Sequence, residues 1–166
     1  MRYITAIGLG VTTLLAGLTL TYFSRQQAVA QAGAPTGLIV KASPYTVEET
    51  ETRFKKILES KGLNLFATVD HAQNASGAGL DLRPTRVVIF GNPKVGTPLM
   101  QCQQTIAIDL PQKVLIWEDD QGNVQLAYND PQYLGGRHRL NGCGVESLET
   151  IAGALNNLTN GAISPQ

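Results

Sequence analysis

The chain has 166 residues, with 13 basic and 13 acidic side chains, 43% apolar and 6% aromatic residues. That length fits one domain, or one domain plus an appendage. A net charge of zero excludes a partner held by bulk charge, nucleic acid above all, and the apolar content excludes a disordered chain.

Residues 1–32 contain no acid, and Arg2 is the only early charged side chain. An uncharged run follows from Tyr3 to Ser24, densest over Ile7 to Leu20. Then come Arg25 and two small-x-small sites, Ala28-Val29-Ala30 and Ala30-Gln31-Ala32. A positive start, an apolar middle and small residues at the cut predict a secretory signal peptide over 1–32. The rival is an uncleaved anchor across residues 3–23, which is long enough for a bilayer but diluted by Gly8, Gly10, Gly17 and five threonines. Either reading predicts export, to a periplasm, the lumen of an internal membrane or the outside of the cell. No Cys lies near the cut and no Arg-Arg pair occurs, which argues against a lipidated cysteine and a twin-arginine route.

Gly33 to Gly37 reads as a linker and 38–160 as the domain. Leu38-Ile39-Val40 predicts a strand. Thr46 with Glu49 forms a capping box for a helix carrying Val47, Phe54, Ile57 and Leu58 on one face and ending at Gly62. Leu65 to Val69 predicts a second strand, followed by a short helical turn from His71 to Ser76. Arg86 to Phe90 predicts a central strand stopped by Gly91-Asn92-Pro93. A helix is expected within Thr97 to Thr105, with Pro98 in its first turn. Lys113 to Glu118 and Val124 to Asn129 flank Asp119 to Asn123 as a hairpin. A loop follows over Asp130 to Gly144. Val145, Leu148, Ile151, Leu155 and Leu158 then mark a last helix. The order β-α-β-(α)-β-α-β-β-α predicts a single α+β domain, a mixed sheet of about five strands with covering helices.

Thr46-Val47-Glu48-Glu49-Thr50, Asp70-His71, Leu82-Arg83-Pro84, Phe90 to Lys94, Gly96 to Met100, Asp109-Leu110-Pro111, Trp117-Glu118 and Tyr128-Asn129-Asp130 occur in that order. Together they resemble the family called domain of unknown function 302, over about Leu38 to Leu158. The resemblance implies a compact α+β fold and a homodimer. It supplies no reaction, cofactor or catalytic residue. Cys102 and Cys143 are a departure from the family pattern.

Those two cysteines are the only ones, and an exported chain meets oxidising conditions, so a Cys102–Cys143 disulfide is expected. Two separate thiols or a redox pair are the alternatives, although there is no C-x-x-C. His71 and His138 are the only histidines. Asp70, His71, Tyr128, Asn129, Asp130, Arg137 and His138 fall at expected strand ends and in the long loop. They form the candidate ligand-binding cleft, suited to a small polar or anionic molecule. Two histidines this far apart have no metal-site spacing, so no metal and no cofactor is expected. Gly91 to Thr97 has two glycines in phosphate-loop spacing, but Thr97 stands where that loop needs Lys, and Pro93 and Pro98 remove amide donors. Asp119 to Asn123 lacks calcium-loop spacing, and no serine sits in G-x-S-x-G. Trp117 alternates with Leu115 and is expected in the core.

These readings favour a non-enzymatic binding or assembly module. The alternatives are a small enzyme using His71 or His138 as general base with Arg137 as anion clamp, and a purely structural envelope protein. The membrane enters only through residues 3–23, if they stay attached.

Overall fold

A computed structural model describes residues 36–165; the expected signal segment and most of the linker lie outside them. Five strands form one sheet: β1 (Leu38–Ser43), β2 (Asn64–Asp70), β3 (Thr85–Gly91), β4 (Gln112–Glu118) and β5 (Val124–Asn129), in the order β1-β5-β4-β3-β2. Every neighbouring pair is antiparallel. The sheet is therefore antiparallel throughout rather than mixed. The α1 crossover (Val47–Ser60) carries the chain from one edge of the sheet to the other, so β1 and β2 run the same way without touching.

The capping box closes α1 as its sequence predicts: the Thr46 hydroxyl accepts from Glu49 N at 3.1 Å, and Glu49 accepts from Thr46 N at 3.1 Å. Its end is a Schellman motif. Leu63 N donates to Leu58 O and Gly62 N to Glu59 O, with Gly62 at φ 63°, where a glycine carries no Cβ penalty.

Helix α2 (His71–Gly77) follows β2, capped by Asp70. Helix α3 (Pro93–Cys102) begins earlier than its apolar pattern predicts. Asn92 caps it and Pro93 opens it, which leaves Pro98 in its interior. A 3-10 turn (Gln104–Ile108) leads to β4. The stretch expected to be loop contains α4 (Pro131–Arg137), capped by Asp130. Two adjacent glycines, Gly135 and Gly136, hide it from a periodicity argument. Helix α5 (Val145–Ile163) ends the domain.

Even-numbered side chains of three strands form the floor of the core: Val88 and Phe90, Val114 and Ile116, Leu126 and Tyr128. Phe54 and Leu58 of α1, Leu99 of α3 and Leu148, Ile151, Leu155 and Leu158 of α5 cover it. Phe54 meets Phe90 edge to face at 5.2 Å. The opposite face carries the row Val40, Ala127, Leu115, Val87 and Val69, in register across all five strands. Trp117 stands on that face beside Leu115 and not in the helix-covered core. No helix among the described residues is long and apolar enough to cross a membrane.

Candidate functional site

The structure separates the residues expected to share a cleft. β2 and β5 are two strands apart and antiparallel, so Asp70-His71 and Asn129-Asp130 leave opposite ends of the sheet. Among the described residues, the two groups do not meet. Sequence order could not decide this, because the strand order is set by the α1 crossover.

At the first end Asp70 caps α2, accepting from Gln73 N at 2.9 Å, and its other oxygen accepts from Arg86 Nε at 3.0 Å. Arg86 also reaches Glu51 at 2.7 Å and Glu48 at 3.1 Å. Lys55 pairs with Glu51 from the next turn of α1. The Gln73 amide and Arg86 hold the Asp70 carboxyl below its usual range. Burial pushes the Glu51 carboxyl up, but Lys55 and Arg86 outweigh it and lower it. His71 is exposed beside this network.

At the other end Tyr128 is buried under the Lys41 ammonium, 5.6 Å from its ring, and burial pushes its hydroxyl pKa up. Lys41 also reaches Asn156, Thr159 and Asn160, so it fastens β1 to α5. Asn129 pairs with Leu38, and Asp130 accepts from Gln132 N at 3.0 Å. His138 is 8% exposed. Its Nε2 lies 2.6 Å from Asp109 Oδ2 and its Nδ1 lies 3.2 Å from the Thr105 hydroxyl. Arg137 donates to the other Asp109 oxygen at 3.2 Å. Both ring nitrogens are thus engaged, and Arg137 faces a carboxylate of this chain rather than an open anion seat. Together they anchor the Asp109-Leu110-Pro111 turn. No group of three His, Cys, Asp or Glu side chains among the described residues is placed to hold a metal.

Next to that turn the sheet and α3, with Ala107 and Ile151, flank a half-open hollow of about 260 Å³. A bulge in β2 between Leu65 and Ala67 frees Phe66 for one wall. Gly91 ends β3 beside it; Val95, Gly96 and Met100 of α3 form the second wall, and Leu110 and Pro111 the third. The polar lining comes from Asn92, Thr97 and Gln112, and no lining side chain is ionisable.

The two glycines are not required by the backbone or by packing. Neither is in the left-handed region. A Cβ on Gly91 would meet Phe66 and Pro111 at 3.6 Å, and one on Gly96 would meet Leu110 at 3.7 Å, both ordinary contacts. At each of these lining positions a Cβ would fit against the wall of the hollow. Gly91 was legible as the residue that stops β3, whereas Gly96, expected ahead of the helix, lies inside α3. Their partners Phe66, Pro111 and Gln112 come from a bulge and a distant turn that no local pattern marks.

The family model described as domain of unknown function DUF302 matches residues 39–158. The chain belongs to that family. A crystal structure of an uncharacterized conserved DUF302 protein from Bacillus stearothermophilus shares the fold, with TM-score 0.61 and 16% identity over 78% of this chain and 97% of that one. The chain is also 48% identical over 105 residues to proteins of Brucella suis and Brucella abortus, each named fluoride-specific ion channel FluC 1. The match covers 63% of this DUF302 chain but 41% and 39% of those relatives, so it spans about two fifths of their length. Three segments that carry the family resemblance, Phe90 to Lys94, Gly96 to Met100 and Asp109 to Pro111, meet at the hollow.

Proposed function

We propose that this DUF302 chain is an exported, non-enzymatic module that holds a small molecule in the hollow between β3 and α3. The observation that carries the reading is the glycine pair. Gly96 weakens a helix interior, and both glycines give up available contacts, yet together they line a half-open apolar hollow. The seat replaces the cleft expected around His71 and His138, whose polar groups serve caps, ion pairs and the anchored turn. That occupation also weighs against His138 as a general base. The joined Cys102–Cys143 pair supports export, since such bonds persist in oxidising compartments.

A direct test titrates the protein with propylbenzene and 4-propylphenol and follows backbone amide shifts. Saturable changes at Phe66, Gly96 and Met100, lost in Gly96→Leu, support the seat. Unchanged binding in Gly96→Leu, or no shifts at millimolar probe, contradicts it.

The likeness to the Brucella proteins favours a second reading, that the module works beside a fluoride channel. The hollow has no cationic side chain to hold fluoride, so the role would lie next to transport rather than in it. Fluoride titration is then expected to leave the amides lining the hollow unmoved. The apolar row on the sheet face that α1, α3 and α5 leave uncovered among the described residues, with Val40 51% exposed, supports a homodimer formed through that face.

A further inference from the structure

Gln112 opens β4 with its side chain on the core side of the sheet, in register with Phe90. It is 9% exposed and lines the hollow. Its carboxamide makes no hydrogen bond to any described residue, whereas the other polar side chains buried as deeply are engaged: Thr50 with Ser43, Glu51 with Arg86, Asp109 with His138, Thr159 with Leu155. No fully inaccessible side-chain nitrogen or oxygen among the described residues lacks a partner. The Gln112 amide therefore reaches accessible space, and the hollow it lines is that space. A buried amide without a partner is unfavourable unless something else completes it, and a carboxamide offers both a donor and an acceptor.

We propose that the hollow takes a neutral molecule of about ten non-hydrogen atoms bearing one hydroxyl or carbonyl, and that Gln112 selects it by pairing with that group; this rests on the hollow being the ligand seat. The size follows from volume. An apolar cavity of about 150 Å³ holds benzene, and this one measures about 260 Å³. The neutrality follows from the lining. It offers apolar carbon and three uncharged polar side chains, and no charge to offset the desolvation of an ionic head. Gln112 is the only one of those three that is buried; Asn92 and Thr97 are exposed, and the Asn92 side chain already caps α3 by accepting from Lys94 N.

The test measures dissociation constants for four probes of matched body: propylbenzene, 4-propylphenol, propiophenone and 3-phenylpropanoate. The wild-type protein is expected to bind the phenol and the ketone at least tenfold more tightly than the hydrocarbon, and the carboxylate at least tenfold more weakly than the phenol. Gln112→Met, which keeps the volume but not the amide, is expected to bind propylbenzene as before and to bring the phenol within twofold of it. Gln112→Asn, which keeps the amide but withdraws it by one methylene, guards against a misfolded Met variant and is expected to lose most of the preference. The inference falls if propylbenzene matches the phenol in the wild-type protein, if Gln112→Met retains the tenfold preference, or if the carboxylate binds best. Those results leave the seat standing. Absence of binding by all four probes, or binding unaffected by Gly96→Leu, removes the seat itself.

Discussion

Gly96 is an interior helix residue with ordinary backbone angles and room for a methyl group. Gly96→Ala is therefore expected to raise the free energy of unfolding by about 0.5–1 kcal/mol. In urea denaturation the midpoint should rise, while binding of 4-propylphenol weakens. Such an exchange of stability for an open site is what a functional glycine predicts. A loss of stability would show that the glycine serves packing instead. At the far end of the sheet, Arg86 satisfies three carboxylates. Arg86→Ala leaves Glu51 buried without its guanidinium and is expected to cost roughly 2–4 kcal/mol. Asp70 and Glu51 have folded pKa values below their unfolded ones. Their stabilisation is present above the unfolded carboxylate range, near pH 4, and is lost as pH falls through the lower folded values. Unfolding midpoints measured from pH 6 down to pH 2 should fall along an acid branch that is shallower in Arg86→Ala.

At the scale of elements, the helix ends decide how much could be read beforehand. Helix α1 was legible because a capping box, an apolar stripe and a terminal glycine agree. Helix α4 was not, because its Schellman end places Arg139, not glycine, at φ 53°. Leu140 N donates to Gly135 O and Arg139 N to Gly136 O, as that motif requires. Arg139→Gly is expected to stabilise by about 0.5–1 kcal/mol, read as a higher thermal midpoint; a lower one would mean that the Arg139 side chain makes a contact worth more than the backbone strain. The hairpin was legible because Asp119 accepts from both Gln121 N and Asn123 N and so sets the turn locally. The bulge at Phe66 was not, since it arises only when β2 is laid against β3. The disulfide belongs to this scale too. It ties the end of α3 to the loop before α5 across 41 residues, with Cα atoms 5.8 Å apart. Beside it lies Gly144, at φ 72°, where a Cβ would come within 2.7 Å of the Leu99 side chain. Cys102→Ser is expected to cost roughly 3–4 kcal/mol. Two free thiols in protein recovered under non-reducing conditions would contradict the bond.

For the whole molecule, strand count and class follow from alternating patterns, but the fifth helix, α4, and the direction of each strand pair do not. Local sequence sets where a strand lies; the crossover sets its neighbour. That is why the core residues of α1, β3 and α5 were readable while the expected cleft, which needed β2 and β5 to end together, dissolved. Among the described residues, the same two-layer build places α1, α3 and α5 on one face of the sheet only. A homodimer through that face predicts a solution mass twice that of the chain by light scattering, and Val40→Glu should shift it to the monomer without unfolding it. A monomeric wild-type protein at tens of micromolar would contradict it.

The most direct measurement is a crystal structure of the protein with 4-propylphenol. The ring is expected between Phe66, Gly96 and Met100, with its hydroxyl within hydrogen-bonding distance of the Gln112 carboxamide. A probe found elsewhere, or a hollow filled by the protein's own side chains while the probe stays in solvent, would contradict it.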